Sequence, residues 1–94
     1  MCDALQAATP AELPFAINQP LLSAAVSVTD AEVARAMRFA LEELHLLVEP
    51  GGSVALAALL AGHLRVDAQG AVVVLSGGNV DMALLQSLLA QAAA

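Results

Sequence analysis

The chain has 94 residues, 60% of them hydrophobic and only 13% charged, with a formal net charge of −6. That length allows one small domain, and that composition argues against disorder, which requires low hydrophobicity and high charge. Three arginines, no lysine and two aromatic residues also argue against nucleic-acid binding, which works by neutralising phosphates and stacking bases.

The apolar residues are mostly of three kinds: 22 Ala, 17 Leu and 10 Val. A small chain with so few charges to cover its surface reads as a piece of a core. The longest uninterrupted apolar run, Val54 to Ala61, falls short of the roughly 18 residues that suggest a membrane span. No basic stretch precedes an apolar one at the N-terminus, so no signal peptide is seen. The single Cys2 gives no intrachain disulfide framework and fits a reducing, cytoplasmic location. With His45 and His63 far from it in sequence, no metal site is expected.

Residues Met1 to Ser23 are punctuated by Pro10, Pro14 and Pro20 and read as loop with short helical turns. Ala25 to Thr29 is short and partly β-branched, and predicts a brief strand. Thr29-Asp30-Ala31-Glu32 has the form of a helix capping box. Val33, Met37, Ala40, Leu41, Leu44, Leu47 and Val48 then trace one helical face, with Arg38 and Glu42 as an i,i+4 pair. This helix is expected to stop at Glu49-Pro50-Gly51-Gly52. Ser53 predicts a cap for a second helix over Val54 to Ala61, apolar all round and therefore buried on most sides, with Gly62 just past its end.

A polar turn follows from His63 to Gly70. Ala71 to Leu75, rich in Val, reads as a strand covered on both faces. Ser76-Gly77-Gly78-Asn79 makes a tight strand-to-helix turn, and Asp81 caps a last helix with Leu85, Leu88, Leu89 and Ala92 on one face. The expected class is α/β, with about two parallel strands and three to four helices. Two strands do not make a stable sheet, so the sheet is expected to be completed by residues outside these 94.

Three features are candidates for chemistry. A Gly-rich turn after a buried strand, Ser76 to Asn79, stands where α/β proteins bind ligands and anions, and is equally an ordinary tight turn. It is neither a Walker motif nor GxGxxG. Glu49 beside two glycines either faces a site that needs close backbone approach or is a solvated helix stop. His45 and His63 are each candidate bases, but their polar surroundings favour solvated surface groups; Cys2 reads as a passive thiol.

Val28-Thr29-Asp30-Ala31-Glu32-Val33, Val48-Glu49-Pro50-Gly51-Gly52 and Val73-Val74-Leu75-Ser76-Gly77-Gly78-Asn79-Val80-Asp81 occur in this order over most of the chain. Together they resemble the C-terminal part of the threonine/serine dehydratases. These are fold-type II pyridoxal-phosphate enzymes, the tryptophan-synthase-β-like group that also holds serine racemases. Cys2-Asp3-Ala4-Leu5 and Glu12-Leu13 are similar to the family's approach to this region, whereas Pro14 and Pro20 depart from it.

The resemblance implies that Ser76 hydrogen-bonds the pyridine nitrogen of pyridoxal 5'-phosphate. It implies that Gly77, Gly78 and Asn79 shape the floor beneath the ring, and that Glu49 lies near it in a catalytic role. A neutral hydroxyl does not force protonation of the ring nitrogen, which suits α,β-elimination of water from a hydroxy amino acid to give a 2-oxo acid and ammonia. The family binds the cofactor's aldehyde through a lysine, and this chain has none.

The expectation is therefore a single C-terminal fragment, residues 1–94, of a larger cofactor-binding domain. It is expected to be inactive alone, and the full-length enzyme to act as a homo-oligomer on a small hydroxy amino acid. The alternative is a non-catalytic remnant or interaction module that pairs with a separate N-terminal subunit. In either case the isolated chain is expected to fold poorly.

Overall fold

A computed structural model describes residues 1–93. It contains α1 (Glu12–Asn18), α2 (Asp30–Glu43), α3 (Val54–Leu60) and α4 (Met82–Ala93), with single 3-10 turns at Asp3–Leu5, Gln19–Leu21 and Gly51–Ser53. No strand forms among the described residues, so the expected α/β class with two strands is incorrect and the arrangement is all-helical. The reason lies in the backbone. A strand exists only where a neighbour pairs its N–H and C=O groups. No backbone hydrogen bond joins Ala71–Leu75 to another described segment; the first such bonds come at Ser76 and at Gly77. Nor is this stretch covered on both faces. Val73 and Leu75 lean on the core, while Val72 is 95% and Val74 69% exposed. Ala25–Thr29 forms no strand either, and contributes only the cap residue of α2.

α2 is the centre of the molecule. It begins as its sequence dictates: the Glu32 N–H donates to Thr29 Oγ1 at 3.2 Å and the Thr29 N–H donates to Glu32 Oε2 at 2.8 Å. Val33, Ala34, Ala36, Met37 and Ala40 are all buried. Three of these five are alanines, which let α3 and α4 approach closely on α2. Burial of Met37 contributes on the order of 1.5–3 kcal/mol. The Arg38–Glu42 pair forms at 2.8 Å, and the same guanidinium donates to the Leu89 carbonyl of α4 at 3.0 Å.

The end of α2 departs from the expected stop at Glu49. The helix ends at Glu43, and His45 takes a left-handed φ of 57°. The N–H groups of Leu44 and Leu46 both donate to the Ala40 carbonyl. Leu44 and Leu47 are consequently exposed, and of the last three predicted face positions only Val48 is buried.

α3 ends in a Schellman turn, with the His63 N–H on the Ala58 carbonyl, the Gly62 N–H on the Leu59 carbonyl, and Gly62 at φ 80°. Ser53 does not cap it; the buried Ser53 hydroxyl donates instead to the Pro50 carbonyl at 2.9 Å. α3 is buried through Leu56, Ala57 and Ala58 on one side only, and Leu60 stays exposed. In α4, Asp81 Oδ1 accepts from the Ala83 N–H at 3.2 Å, and Leu85 and Leu88 are buried on the expected face.

The N-terminal region matches loop with short helical turns. Pro14 lies in the first turn of α1, where the missing N–H had no helical partner to lose. Every residue from Asp3 to Ser27 is exposed, and α1 packs only against the turn that follows it. Met1 and Cys2, in contrast, pack against the core. The Cys2 end is therefore tied down, and burial pushes its thiol pKa up, as befits an unreactive group.

His63 is not simply solvated, because its Nε2 lies 3.0 Å from Glu32 Oε1. The Thr29 N–H first, and His63 after it, hold the Glu32 carboxyl below the ordinary carboxylate value of 4.5. A lowered folded-state pKa gives stability that is present above the unfolded value and lost as pH falls through the folded one. The advantage of the natural chain over Glu32→Gln in urea melts followed by circular dichroism is thus expected to shrink from about pH 5 to about pH 3. An advantage that grows over this interval would contradict the capping role of the ionised carboxylate.

Candidate site where two glycine turns meet

Glu49-Pro50-Gly51-Gly52 and Ser76-Gly77-Gly78-Asn79 are separated by more than twenty residues in the chain yet dock backbone to backbone. The Glu49 N–H donates to the Gly77 carbonyl at 3.1 Å and the Ser76 N–H donates to the Gly52 carbonyl at 3.4 Å. Of the predicted site residues, the structure therefore brings Glu49, Ser76, Gly77 and Gly78 into one junction. Asn79 follows directly, on the rim of a cleft of about 140 Å³.

The approach is possible only because side chains are missing. A Cβ on Gly52 would strike the Ser76 carbonyl oxygen. A Cβ on Gly78 would lie 2.7 Å from the Leu47 carbonyl oxygen. At Gly77 a Cβ would strike the Glu49 carboxylate, and its φ of 87° is a left-handed conformation that favours glycine in any case.

Glu49 is half-buried, with its carboxylate against Gly77. Ser76, Gly77, Gly78 and Asn79 are exposed, so a hydroxyl, two glycine backbones and a carboxamide face outward together. The cleft beside them is lined by Glu49, Pro50, Gly51, Asn79 and Asp81 together with Met1, Asp3 and Ala4 of the N-terminal segment. Sequence reasoning missed the contribution of the N-terminal segment. Its one signal was the similarity of Cys2-Asp3-Ala4-Leu5 to the family, which carried no spatial information. The Asp81 carboxylate is engaged with the start of α4. His45 and His63 do not line this cleft, and among the described residues no group of His, Cys, Asp and Glu is placed to hold a metal. Nor is any described helix long and apolar enough to cross a membrane.

The chain is similar in sequence to several known proteins. The chain is 38% identical over 82 residues to the L-threonine ammonia-lyase of Geobacter sulfurreducens, covering 87% of this chain and 20% of that protein. It is 35% identical over 75 residues to the L-threo-3-hydroxyaspartate ammonia-lyase of a Pseudomonas species, covering 80% and 24%. It is 34% identical over 79 residues to the serine racemase of Arabidopsis thaliana, covering 79% and 24%. The chain thus spans between a fifth and a quarter of the length of these curated relatives. No family model and no solved structure matches it.

Gly52→Ala is expected to cost about 1–3 kcal/mol, as overpacking against backbone does. Gly70→Ala provides the contrast. It meets no atom within 4 Å and carries only the strain of its positive φ. Urea melts that show Gly52→Ala unchanged would mean the two turns do not dock as described.

Proposed function

We infer, for a chain that belongs to the family of the threonine ammonia-lyases and serine racemases, that it forms one wall of the cofactor site of an amino-acid ammonia-lyase. The reaction is the elimination of water from a hydroxy amino acid to an enamine, whose imine tautomer takes up one water to give a 2-oxo acid and ammonia, and pyridoxal 5'-phosphate is the cofactor. The observation that supports this reading best is the docking of Glu49 against Gly77, which turns Ser76 and Asn79 outward as a single polar edge.

The residues present fit one part of that cofactor and not the others. Ser76 offers a neutral hydroxyl suited to a pyridine nitrogen, beside glycine backbones flat enough to lie under a ring. Bound there, the cofactor supplies an electron sink for the substrate's α-carbon. The aldehyde has no lysine to meet, since the sequence contains none. The phosphate has no arginine or lysine beside the cleft, whose one cation, the Met1 ammonium, faces Asp3 at 3.9 Å. Arg35 and Arg38 lie on α2 and Arg65 in the turn after α3, while the cleft is lined by Asp3, Glu49 and Asp81. This chain accordingly holds the ring-nitrogen edge. The lysine and the phosphate loop come from elsewhere in the enzyme, and the 94 residues are inactive by themselves. Ser76 orients the ring and leaves its nitrogen without an imposed proton, and Glu49 places a carboxylate near the reacting face.

A chimera tests this reading: the aligned region of the Geobacter sulfurreducens threonine ammonia-lyase is replaced by this chain. The chimera is expected to retain the cofactor's visible absorbance and to release ammonia from threonine or serine. Ser76→Ala is expected to lower turnover about fivefold or more, the worth of roughly one hydrogen bond. A folded chimera that binds the cofactor yet is indifferent to Ser76→Ala and Glu49→Gln would overturn the assignment.

A further inference from the structure

Ala71–Leu75 has the side-chain pattern of a strand and lacks the neighbour that would make it one. Its residues alternate: Val73 and Leu75 lean on the core, while Val72 and Val74 are 95% and 69% exposed. That two-residue period belongs to an extended backbone. The docking of Ser76 on Gly52 and of Gly77 on Glu49 anchors the end of the run. Yet among the described residues no hydrogen bond reaches the N–H or C=O of any residue from Ala71 to Leu75. Exposed sheet edges are ordinarily blunted by charge, Lys above all, or by Pro. Here no residue from Ala68 to Val80 is charged and none is Pro.

The run is complementary to itself. Two identical strands paired antiparallel are related by a two-fold axis, and each meets the donors and acceptors that it offers. With the axis at Val73, Val72 of one copy lies opposite Val74 of the other on the outer face. On the inner face Val73 meets its own counterpart and Ala71 meets Leu75. Every pair is apolar, and such cross-strand pairs are the unit of sheet stability. The register has a physical cause. A slip by one residue breaks the two-fold, and a slip by two brings Gly70 opposite Val74 or Gly77 opposite Ala71, where glycine weakens a strand. Two bare strands are marginal in water, but these are backed by helices through Val73 and Leu75. Surface is also available. The accessible area is 6697 Å², whereas a compact monomer of this mass exposes about 5,000 Å². The excess, about 1,700 Å², is about twice the ~800 Å² that each partner contributes to a standard protein interface.

We propose that Ala71–Leu75 is the interface of a two-fold homodimer of this chain, in which the runs of two copies pair as antiparallel strands about Val73. A second copy is the occupant that the run itself selects. Without charge it offers an unlike partner only backbone and apolar side chains to recognise, and the identical run supplies both in the matching length. This pairing is independent of the cofactor reading, because it uses none of Glu49, Ser76 and Asn79.

The test is the mass of the full 94-residue chain by light scattering as concentration is raised, with infrared spectra of the same samples. A doubled mass is expected, with a paired-strand amide band that grows in step with it and that the helices of a single copy do not give. Val72→Lys with Val74→Lys is expected to weaken the dimer tenfold or more. Both side chains are exposed, so the helical circular dichroism is expected to persist. In a Cys2→Ser background, Val72→Cys with Val74→Cys is expected to give, on oxidation, a disulfide from position 72 of one copy to position 74 of the other, read by peptide mapping. Directly opposed strand residues lie within disulfide reach. A chain that stays single at every soluble concentration overturns the proposal. So does a dimer without the strand band, or one that the folded lysine variant leaves intact. Growth into fibres overturns the closed two-fold pair, and a disulfide between identical positions overturns the antiparallel register. If the lysine variant does not fold, the disulfide map decides.

Discussion

The structure depends on three places where no side chain can stand. Gly52, Gly77 and Gly78 let two turns touch through their backbones, within the reach that a single Cβ would fill. The turn Gly51–Ser53 leads straight into α3, and Gly78 stands four residues before α4. The junction therefore fixes where both helices start, and with it the side from which each packs on α2. The alanines of α2 complete the arrangement from the other direction, because small side chains at Ala34, Ala36 and Ala40 leave room for close helix contact. Missing volume at the turns and small volume on the helix serve one end.

That economy explains the composition. Ala and Gly build the close contacts, and Val33, Met37, Val48, Leu56, Leu85 and Leu88 fill the core between them. The remaining Leu, Val and Phe are left on the outside, on α1 and along Val72 and Val74. A surface rich in leucine and poor in charge suits a chain that buries it against something else. The polar chemistry is confined to the rim of the glycine junction, where Glu49, Ser76 and Asn79 come within one small region although the chain separates them.

Elements with a local cause were legible in the sequence. The Thr29–Glu32 capping box, the Asp81 cap, Gly62 past the end of α3, the Arg38–Glu42 pair and the buried face of α4 all depend on residues within a turn or two of each other, and all form. The two strands did not, since a strand is made by its neighbour and Ala71–Leu75 has none here. α2 is shorter than its apolar pattern predicts for a related reason. Apolar residues continue to Val48, but the backbone turns at His45, sending Val48 into the core by another route. Ser53 has the residue type of a cap, yet the tight turn at Pro50 claims its hydroxyl.

The candidate residues were legible by type and order, as glycine pairs beside a Glu and a Ser. The helix starts, the apolar stripes and the absence of lysine follow from residue identity and short spacing, and the order of three segments carries the resemblance to a family. The folded chain alone shows that Glu49 closes over Gly77, that Asp3 and Ala4 share its cleft, that His63 reaches Glu32 and that α1 packs only against the turn that follows it. Each of those is a meeting of distant segments. Such meetings are set by which volumes can fit together, and no local pattern of residues encodes that.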